Sequence, residues 1–181
     1  MILTGQEIIN QVEKGNIFIS GFNKNKVGPN SYDITLNNKL LVYNKKVDTK
    51  SRVTFIDSKS ENSTNEVIIP DDGLILYPGT LYLGRTNELT ETHGFAPMIE
   101  GRSSVGRMGI AIHATAGFGD NGFKGYWTLE IFVVEPVKIY PNMRIGQLYY
   151  HTLFGDTDIE YRGKYYDNDD VQSSRLFKDF E

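Results

Sequence analysis

The chain has 181 residues, a length that fits one domain rather than a tandem. Nineteen lysines and arginines against 23 aspartates and glutamates give a net charge of −4, which argues against a surface built to wrap nucleic acid. The lack of cysteine excludes disulfides, thiol catalysis and cysteine-ligated zinc, and is typical of the reducing cytoplasm. No long apolar run or secretory leader follows Met1, so we expect a soluble cytoplasmic protein without a membrane partner.

The first predicted element is a short helix. Thr4 and Glu7 have the spacing of a capping box, apolar residues follow at positions 8, 9 and 12, and Gly15 suits the position after a helix end. Beyond it, short β-branched and aromatic runs predict strands at 17–20, 31–36, 40–43, 53–56, 66–69, 74–76, 81–84, 95–99, 110–114, 127–134, 137–139 and 145–153. Even spacing of this kind is typical of a jelly roll or barrel, and no βαβ alternation is present.

Two segments lack the pattern of a core element. Residues 48–65 are rich in Lys, Ser, Asn and Thr, so we predict a solvated loop or hairpin without chemistry. Residues 155–181 mix Gly, Asp, Tyr and Lys and are predicted either to fray or to close over a site.

The turn at residues 100–109 is the densest group of chemistry-bearing side chains. Arg102 and Arg107 flank Ser103 and Ser104 between glycines. Guanidinium groups and exposed backbone N–H groups bind phosphate oxygens well. A phosphate-binding turn and a short capped helix with exposed arginines are equally compatible with this spacing.

The next feature is a hairpin turn at Gly119–Gly122, followed by a strand. In that strand Thr128 and Glu130 share one face, opposite Trp127. On this pattern alone an exposed carboxylate is favoured, but a Glu130 that points into a pocket would be a candidate general base. His113 lies among apolar residues, and we predict a structural hydrogen-bonding role for it.

Together these motifs resemble those of the dCTP deaminases and their relatives, the trimeric dUTPases. The matching segments are Ser31–Asp33, Gly101–Arg107, Thr115–Phe123, Thr128–Glu130, Arg144–Leu148 and Gly163–Tyr165. The resemblance therefore covers nearly the whole chain. It implies a single all-β domain over residues 1–181, of distorted jelly-roll or β-barrel-like form with a short N-terminal helix. It also implies a homotrimer with nucleotide sites between subunits.

The same resemblance implies a set of site residues. Glu130 would be the general base, Ser103 and Arg107 would hold water and base in a polar network, and Asp120 would lie near the sugar and phosphates. The implied substrate-binding residues are Arg102, Ser104, Val105, Gly106, Ala116, Gly117, Thr128, Leu129, Gln147, Tyr161, Lys164 and Asn168.

The implied chemistry is deamination of dCTP without zinc. Zinc deaminases hold their metal with His-x-Glu and Pro-Cys-x-x-Cys motifs, whereas this chain has no cysteine and only His93, His113 and His151. We expect no metal ligand in the protein and Mg²⁺ bound through the triphosphate. The further nucleotide candidates are dUTP as a substrate and dTTP as an inhibitor.

The product is harder to predict. Gly117 stands where dUTP-releasing deaminases tend to carry a bulkier residue, and Phe118 is the aromatic residue that follows the glycine in the dUMP-forming type. The glycine is expected to leave space, and both positions favour the dUMP-forming type. Release of dUTP, a dUTPase activity alone and a catalytically silent regulatory trimer are the alternatives. The presence of Glu130 disfavours the last two.

Some positions depart from the family pattern. Gly119 and Asn121 replace residues that usually stiffen the hairpin, so we expect a looser turn around the deoxyribose. Asn168 replaces a usual Gln. Its acidic neighbours at 167, 169 and 170 are expected to turn outward to solvent. The alternative is that they help to hold a triphosphate-bound Mg²⁺.

Overall fold

Thirteen strands form the framework of the protein, in a computed structural model that describes every residue from Met1 to Glu181. The strands are β1 (Ile17–Ile19), β2 (Tyr32–Thr35), β3 (Lys39–Tyr43), β4 (Lys46–Val47), β5 (Thr54–Phe55), β6 (Thr64–Ile68), β7 (Leu74–Leu76), β8 (Tyr82–Thr92), β9 (Phe95–Gly101), β10 (Ile110–Ala111), β11 (Lys124–Val133), β12 (Val137–Ile139) and β13 (Arg144–Thr152). The helices are α1 (Gly5–Glu13), α2 (Ser103–Gly106) and two 3₁₀ turns, Lys24–Lys26 and Leu176–Phe180. The prediction of an all-β protein with a short N-terminal helix is confirmed.

Helix α1 has the boundaries that its sequence predicts. The Thr4 hydroxyl accepts a hydrogen bond from the Glu7 amide at 3.2 Å, as an N-cap does. The chain leaves the helix through Gly15, whose φ of +81° is a conformation that other residues rarely adopt. Helix α1 and the four-residue α2 are both far too short to cross a bilayer.

Two sheets carry most of the pairing. The larger has the order β10-β11-β8-β3-β6, with β1 also paired to β8, and the smaller has the order β2-β13-β9. The short pairs β12-β7 and β4-β5 stand apart, so the strands do not close into a continuous barrel. Their inward faces meet in one core of 24 buried residues, including Tyr32, Leu129 and Tyr150. Each large apolar side chain buried there contributes about 1.5–3 kcal/mol.

Strand β8 is much longer than the predicted 81–84. Its inward positions continue as polar residues, and Thr86, Glu88 and Thr90 are almost fully buried. Glu88 is satisfied by the Thr35 hydroxyl and by Lys26, both at 2.8 Å, so the strand can bury it. Alternation of apolar residues predicts a strand only where the buried face is apolar. It could not detect this part of β8, because the buried side chains there are polar and hydrogen-bonded. The predicted strand 110–114 is shorter in the structure and ends at Ala111.

The segments without a core pattern are both ordered. Residues 46–55 form the small β4-β5 hairpin, as the hairpin alternative predicted. The tail after Gly155 folds back across the larger sheet and ends in the 3₁₀ turn Leu176–Phe180. The tail therefore lies against the sheet, and its closure over a bound nucleotide stays a prediction.

Candidate active site

A cavity of about 430 Å³ lies between the outer face of β11, the preceding hairpin and the tail. That volume is in the range of a small-molecule site. Predicted site residues that line it are Ala116, Asp120, Thr128, Glu130, Tyr161 and Asn168. Apolar side chains make up much of the remaining wall, including those of Tyr126 and Phe123.

Strand β11 presents Thr128 and Glu130 to this cavity. Trp127, Leu129 and Ile131 alternate with them and are buried in the core, as the two-residue period requires. Glu130 is half-buried and lines the cavity, so the exposed-carboxylate alternative is wrong. The Leu129 side chain faces the core, and only its backbone is available to a ligand.

The Glu130 carboxylate has few protein partners. Its Oε2 atom accepts a long hydrogen bond of 3.4 Å from the Ala114 amide, and its own amide donates to the Ile112 carbonyl at 2.8 Å. No other side chain hydrogen-bonds to it. The carboxylate is therefore held beside the 112–114 segment while keeping acceptor capacity for a ligand or a water molecule.

The hairpin before β11 is packed tightly. A Cβ atom on Gly117 would lie 2.7 Å from the Ile99 carbonyl oxygen and 2.8 Å from the His113 ring. The expectation that Gly117 leaves open space is therefore wrong, because neighbouring atoms already occupy it. Gly119 has the same constraint, since a Cβ atom there would clash with the Trp127 ring.

Asn121 ties the hairpin to the tail. Its side-chain amide donates to the carbonyls of Thr157 at 3.0 Å and Ile159 at 3.2 Å, and its Oδ1 atom accepts from the Gly94 amide at 2.7 Å. The Asn121 carbonyl also accepts from the Tyr161 amide at 2.7 Å. The expected loosening of this turn is wrong, because the asparagine replaces apolar stiffening with hydrogen bonds.

The tail supplies the opposite wall of the cavity. Asn168 accepts from the Tyr126 amide at 3.1 Å and donates to the Tyr165 carbonyl at 3.0 Å. Lys164 lies in the same segment, where its ammonium group pairs with Asp179 at 2.6 Å. That hydrogen bond raises the pKa of Lys164.

The acidic residues of the tail differ among themselves. Asp169 is exposed, and Asp167 is exposed while pairing with Lys124 at 3.0 Å. Asp170 instead points inward to Arg85 and Lys39. The outward orientation predicted for all three is therefore wrong for Asp170, because two cations of the sheet compensate its charge.

The arginine-rich turn lies outside this cavity. Arg102, Ser103 and Gly106 line a separate cleft of about 350 Å³, together with residues of β9 and β10. The turn is the short helix α2, with Val105 buried in the core and Ser103, Ser104 and Arg107 exposed. The structure thus separates the predicted site residues into two groups.

Neighbouring polar side chains surround the α2 turn. Arg102 pairs with Asp33 at 3.0 Å, and Asp33 also binds Arg144 at 3.2 Å. Gln147 on β13 lies directly across from Asp33 on β2 and Glu100 on β9. Gln147 therefore belongs with the α2 group and not with the Glu130 cavity.

His113 lies at the edge of the α2 cleft. Its Nε2 atom is 3.3 Å from a Glu100 carboxylate oxygen, and its buried Nδ1 atom has no partner. The contact with Glu100 agrees with the predicted structural role.

Sequence reasoning missed part of the cavity wall. Tyr43, Ile56, Leu81 and Leu83 line it, and Ile56 comes from the excursion that was predicted to be solvated. For Ile56, the only signal in the sequence was the apolar run at 53–56 inside an otherwise polar segment. Tyr43 also accepts a hydrogen bond from the Ser174 amide at 2.8 Å, so it contacts the tail directly.

This fold and site define a β protein with a half-buried carboxylate in a small-molecule cavity that its own tail covers. The chain belongs to the dCTP deaminase-like family, whose model matches residues 2–153. It is 52% identical over 181 residues to the dUMP-forming dCTP deaminase of Clostridium beijerinckii, covering 100% of this chain and 99% of that one. It is 54% identical to the enzyme of the same name from Hathewaya histolytica, covering both chains completely.

A solved structure shares the fold at much lower identity. The 2′-deoxycytidine 5′-triphosphate deaminase from Agrobacterium tumefaciens superposes with a TM-score of 0.62 at 19% identity. The match covers 83% of this chain but only 48% of that one, so this chain spans about half its length. The all-β fold implied by the resemblance to dCTP deaminases is thereby confirmed.

Proposed function

We propose that this protein hydrolyses dCTP to dUMP, pyrophosphate and ammonia, and so supplies dUMP for pyrimidine deoxynucleotide synthesis. The observation that carries the proposal is the placement of Glu130 beside Thr128 on the wall of a cavity covered by the tail. Full-length relatives that bear the name dCTP deaminase, dUMP-forming, support the same substrate and product.

Glu130 is the group that moves protons in the deamination step. Its carboxylate takes a proton from a water molecule as the water oxygen bonds to C4 of the cytosine ring. That proton passes to N3 as the C4=N3 double bond opens. The carboxylate then moves the proton of the new C4 hydroxyl to the exocyclic amine, the C4–N bond breaks, and ammonia leaves behind a uracil carbonyl. A general base positioned in this way contributes about 10²–10⁴-fold to the rate.

Cleavage of the triphosphate requires a second water molecule. Attack at the α-phosphorus breaks the bond to the bridging oxygen, and pyrophosphate leaves. Asp120 lies at the cavity wall on the hairpin and is the carboxylate available to orient that water or the sugar hydroxyl. Cationic side chains and a nucleotide-bound Mg²⁺ offset the charge on the leaving group.

The two residue groups are joined in a homotrimer. Ser103 and Arg107 are exposed and lie outside the Glu130 cavity, so a complete site needs an α2 turn from a neighbouring subunit. A guanidinium group beside a phosphate makes a strong, charge-assisted contact. Such a role explains why Arg107 has no partner within a single chain. The protein would work in the cytoplasm without a nucleic-acid or membrane partner.

Mg²⁺ enters with the nucleotide in this proposal, and zinc has no part. The cavity carries the carboxylates of Asp120 and Glu130 but no histidine, which fits a triphosphate-bound magnesium better than a protein-bound zinc. Mg²⁺ would neutralise the part of the phosphate charge that arginine and lysine side chains leave uncompensated.

Incubation with dCTP and Mg²⁺ tests the proposal. Ammonia, dUMP and pyrophosphate are expected in equal amounts, measured by a coupled ammonia assay and anion-exchange chromatography. Accumulation of dUTP without pyrophosphate would reject the dUMP-forming step and leave the deamination standing. A zinc-specific chelator, with Mg²⁺ in excess, should leave ammonia release unchanged. Parallel reactions with dUTP, and with dTTP added to dCTP, define the second substrate and the inhibitor.

A further inference from the structure

The tail contacts the larger sheet at an ion cluster centred on Asp170. Asp170 Oδ1 accepts from Arg85 Nε at 2.9 Å, and its Oδ2 atom accepts from Lys39 Nζ at 2.7 Å. Arg85 is on β8 and Lys39 is on β3, which are neighbours in the sheet. The residue after the aspartate, Val171, is buried at 7% exposure. A single carboxylate therefore anchors the tail to two adjacent strands.

The cluster lies next to the reactive face of β11. Arg85 on β8 is the register partner of Thr128 on β11. The Thr128 hydroxyl accepts a hydrogen bond at 3.1 Å from the amide of Gln172, two residues after Asp170. Glu130 follows Thr128 on the same face. Docking at Asp170 thus sets where the next tail residues lie relative to the carboxylate.

Arg85 connects the same cluster to the cavity wall. Its guanidinium group lies 4.2 Å from the centre of the Tyr126 ring, a cation–π distance. Tyr126 lines the cavity, and its amide is bonded to Asn168 of the tail. Loss of the Asp170 carboxylate would therefore release Arg85. It would also weaken the contacts that the tail makes with β11 before and after residue 170, at Asn168 and Gln172.

Two cations and one backbone amide compensate the charge of Asp170. Burial acts to raise the pKa of this carboxyl, but hydrogen bonds from Lys39, the Val171 amide and Arg85 outweigh burial and lower it. Lys39 also lies 3.3 Å from Glu66, so it bridges two carboxylates. Partly buried, charge-assisted contacts of this kind are stronger than exposed surface pairs.

We infer that Asp170 is a positioning residue of the nucleotide site: by binding Arg85 and Lys39, it holds residues 168–174 closed over the cavity that contains Glu130. This inference rests on the proposed function for the identity of the nucleotide. Asp170 does not touch the reacting atoms. Its effect is on closure, and therefore on substrate affinity more than on the chemical step.

The test compares Asp170→Asn with Asp169→Asn. The second variant removes the adjacent exposed carboxylate, whose side chain makes no ion pair or hydrogen bond. We expect Asp170→Asn to raise the KM for dCTP about tenfold with kcat within about twofold, the pattern of lost ground-state binding. Asp169→Asn should leave both unchanged, and Asp170→Glu should recover part of the affinity. An unchanged KM, or a loss of kcat alone, would overturn the inference.

A second measurement needs no turnover. Limited trypsin digestion cuts after basic residues, and the tail offers Arg162, Lys164 and Arg175. Cleavage there should be faster in Asp170→Asn than in Asp169→Asn, while the folded core remains intact. Equal rates would overturn the docking role. If wild-type protein released no ammonia from dCTP, the proposed function would fail, and this digestion would still decide the role of Asp170.

Discussion

The cavity around Glu130 and the cleft around α2 differ in how far one chain completes them. The cavity is enclosed by β11, the hairpin and the tail, with Glu130 half-buried. The α2 cleft leaves Ser103 and Arg107 exposed, although Arg102 is already paired with Asp33. Under the proposed function, the proton-transfer side of the site is thus built by a single chain, and the proposed phosphate-binding side is presented outward.

The comparison shows what each region contributes. An enclosed carboxylate can act on a base only if nucleotide fits beneath the tail, so Glu130 depends on closure. In the proposed trimer, the exposed Arg107 is free to meet the phosphates of a nucleotide bound by another subunit. Variants in the Glu130 cavity and variants in the α2 cleft should therefore lose activity in different ways.

The largest effect is expected for Glu130→Gln. The amide keeps the shape of the side chain but cannot accept a proton at neutral pH, so ammonia release should fall at least about 10²–10⁴-fold. Nucleotide affinity, measured by calorimetry, should change little. Glu135→Gln is the matched control, because Glu135 is exposed and has no partner. Near-normal ammonia release from Glu130→Gln would remove Glu130 from the mechanism.

Arg107→Ala tests the outward-facing side. Activity should be lost while the free energy of unfolding changes by no more than about 0.5 kcal/mol, since Arg107 is exposed and makes no ion pair. Lys50→Ala, another exposed cation, is the control.

A mixing experiment sharpens the same comparison. Arg107→Ala and Glu130→Gln subunits, unfolded and refolded together, should regain about a quarter of wild-type activity, because a random mixture forms some sites with both native residues. No recovery would show that each chain completes its own site.

Asn121→Ala should give an intermediate effect on the enclosed side. The variant loses three hydrogen bonds that join the hairpin, the tail and Gly94. At about 0.5–1.5 kcal/mol per bond, urea unfolding should show a clear loss of stability. The KM for dCTP should rise several-fold because the hairpin and tail move independently. Asn65→Ala, an exposed amide without such bonds, should change neither value.

The smallest expected effect concerns pH. His93 lies between Glu160 of the tail, at 2.7 Å, and Glu91 of β8, at 2.9 Å. Hydrogen bonding to Glu160 first, and to Glu91 second, raises the pKa of His93 above 6.5. The resulting stabilisation is complete below that ordinary pKa and is lost as pH rises through the raised value. The His93 hydrogen bond also lowers the pKa of Glu160 from 4.5, so its contribution is lost only as pH falls through the lowered value.

Thermal unfolding of wild type and His93→Gln checks this assignment. The difference in Tm should be largest near about pH 6 and should shrink by about pH 9. Because His93 is 40% exposed, solvent screening keeps the effect below about 1 kcal/mol. A difference that grows with pH would contradict the ion-pair assignment.

The sequence by itself determined the features that depend on local periodicity and on ordered motifs. The Thr4 cap sets the start of α1, and a period of two places Thr128 and Glu130 on one face. The order of the motifs along the chain was enough to indicate the family.

Only the tertiary structure decided contacts between residues far apart in the chain. Asp170 is 85 residues from Arg85 and 131 from Lys39, so no local pattern could pair them. The contacts of Gly117 with Ile99 and His113 likewise depend on how the hairpin packs on neighbouring segments. The separation of Gln147 and α2 from Glu130 follows from sheet pairing. The physical reason is that local geometry sets which way a side chain points, whereas long-range packing decides what it meets.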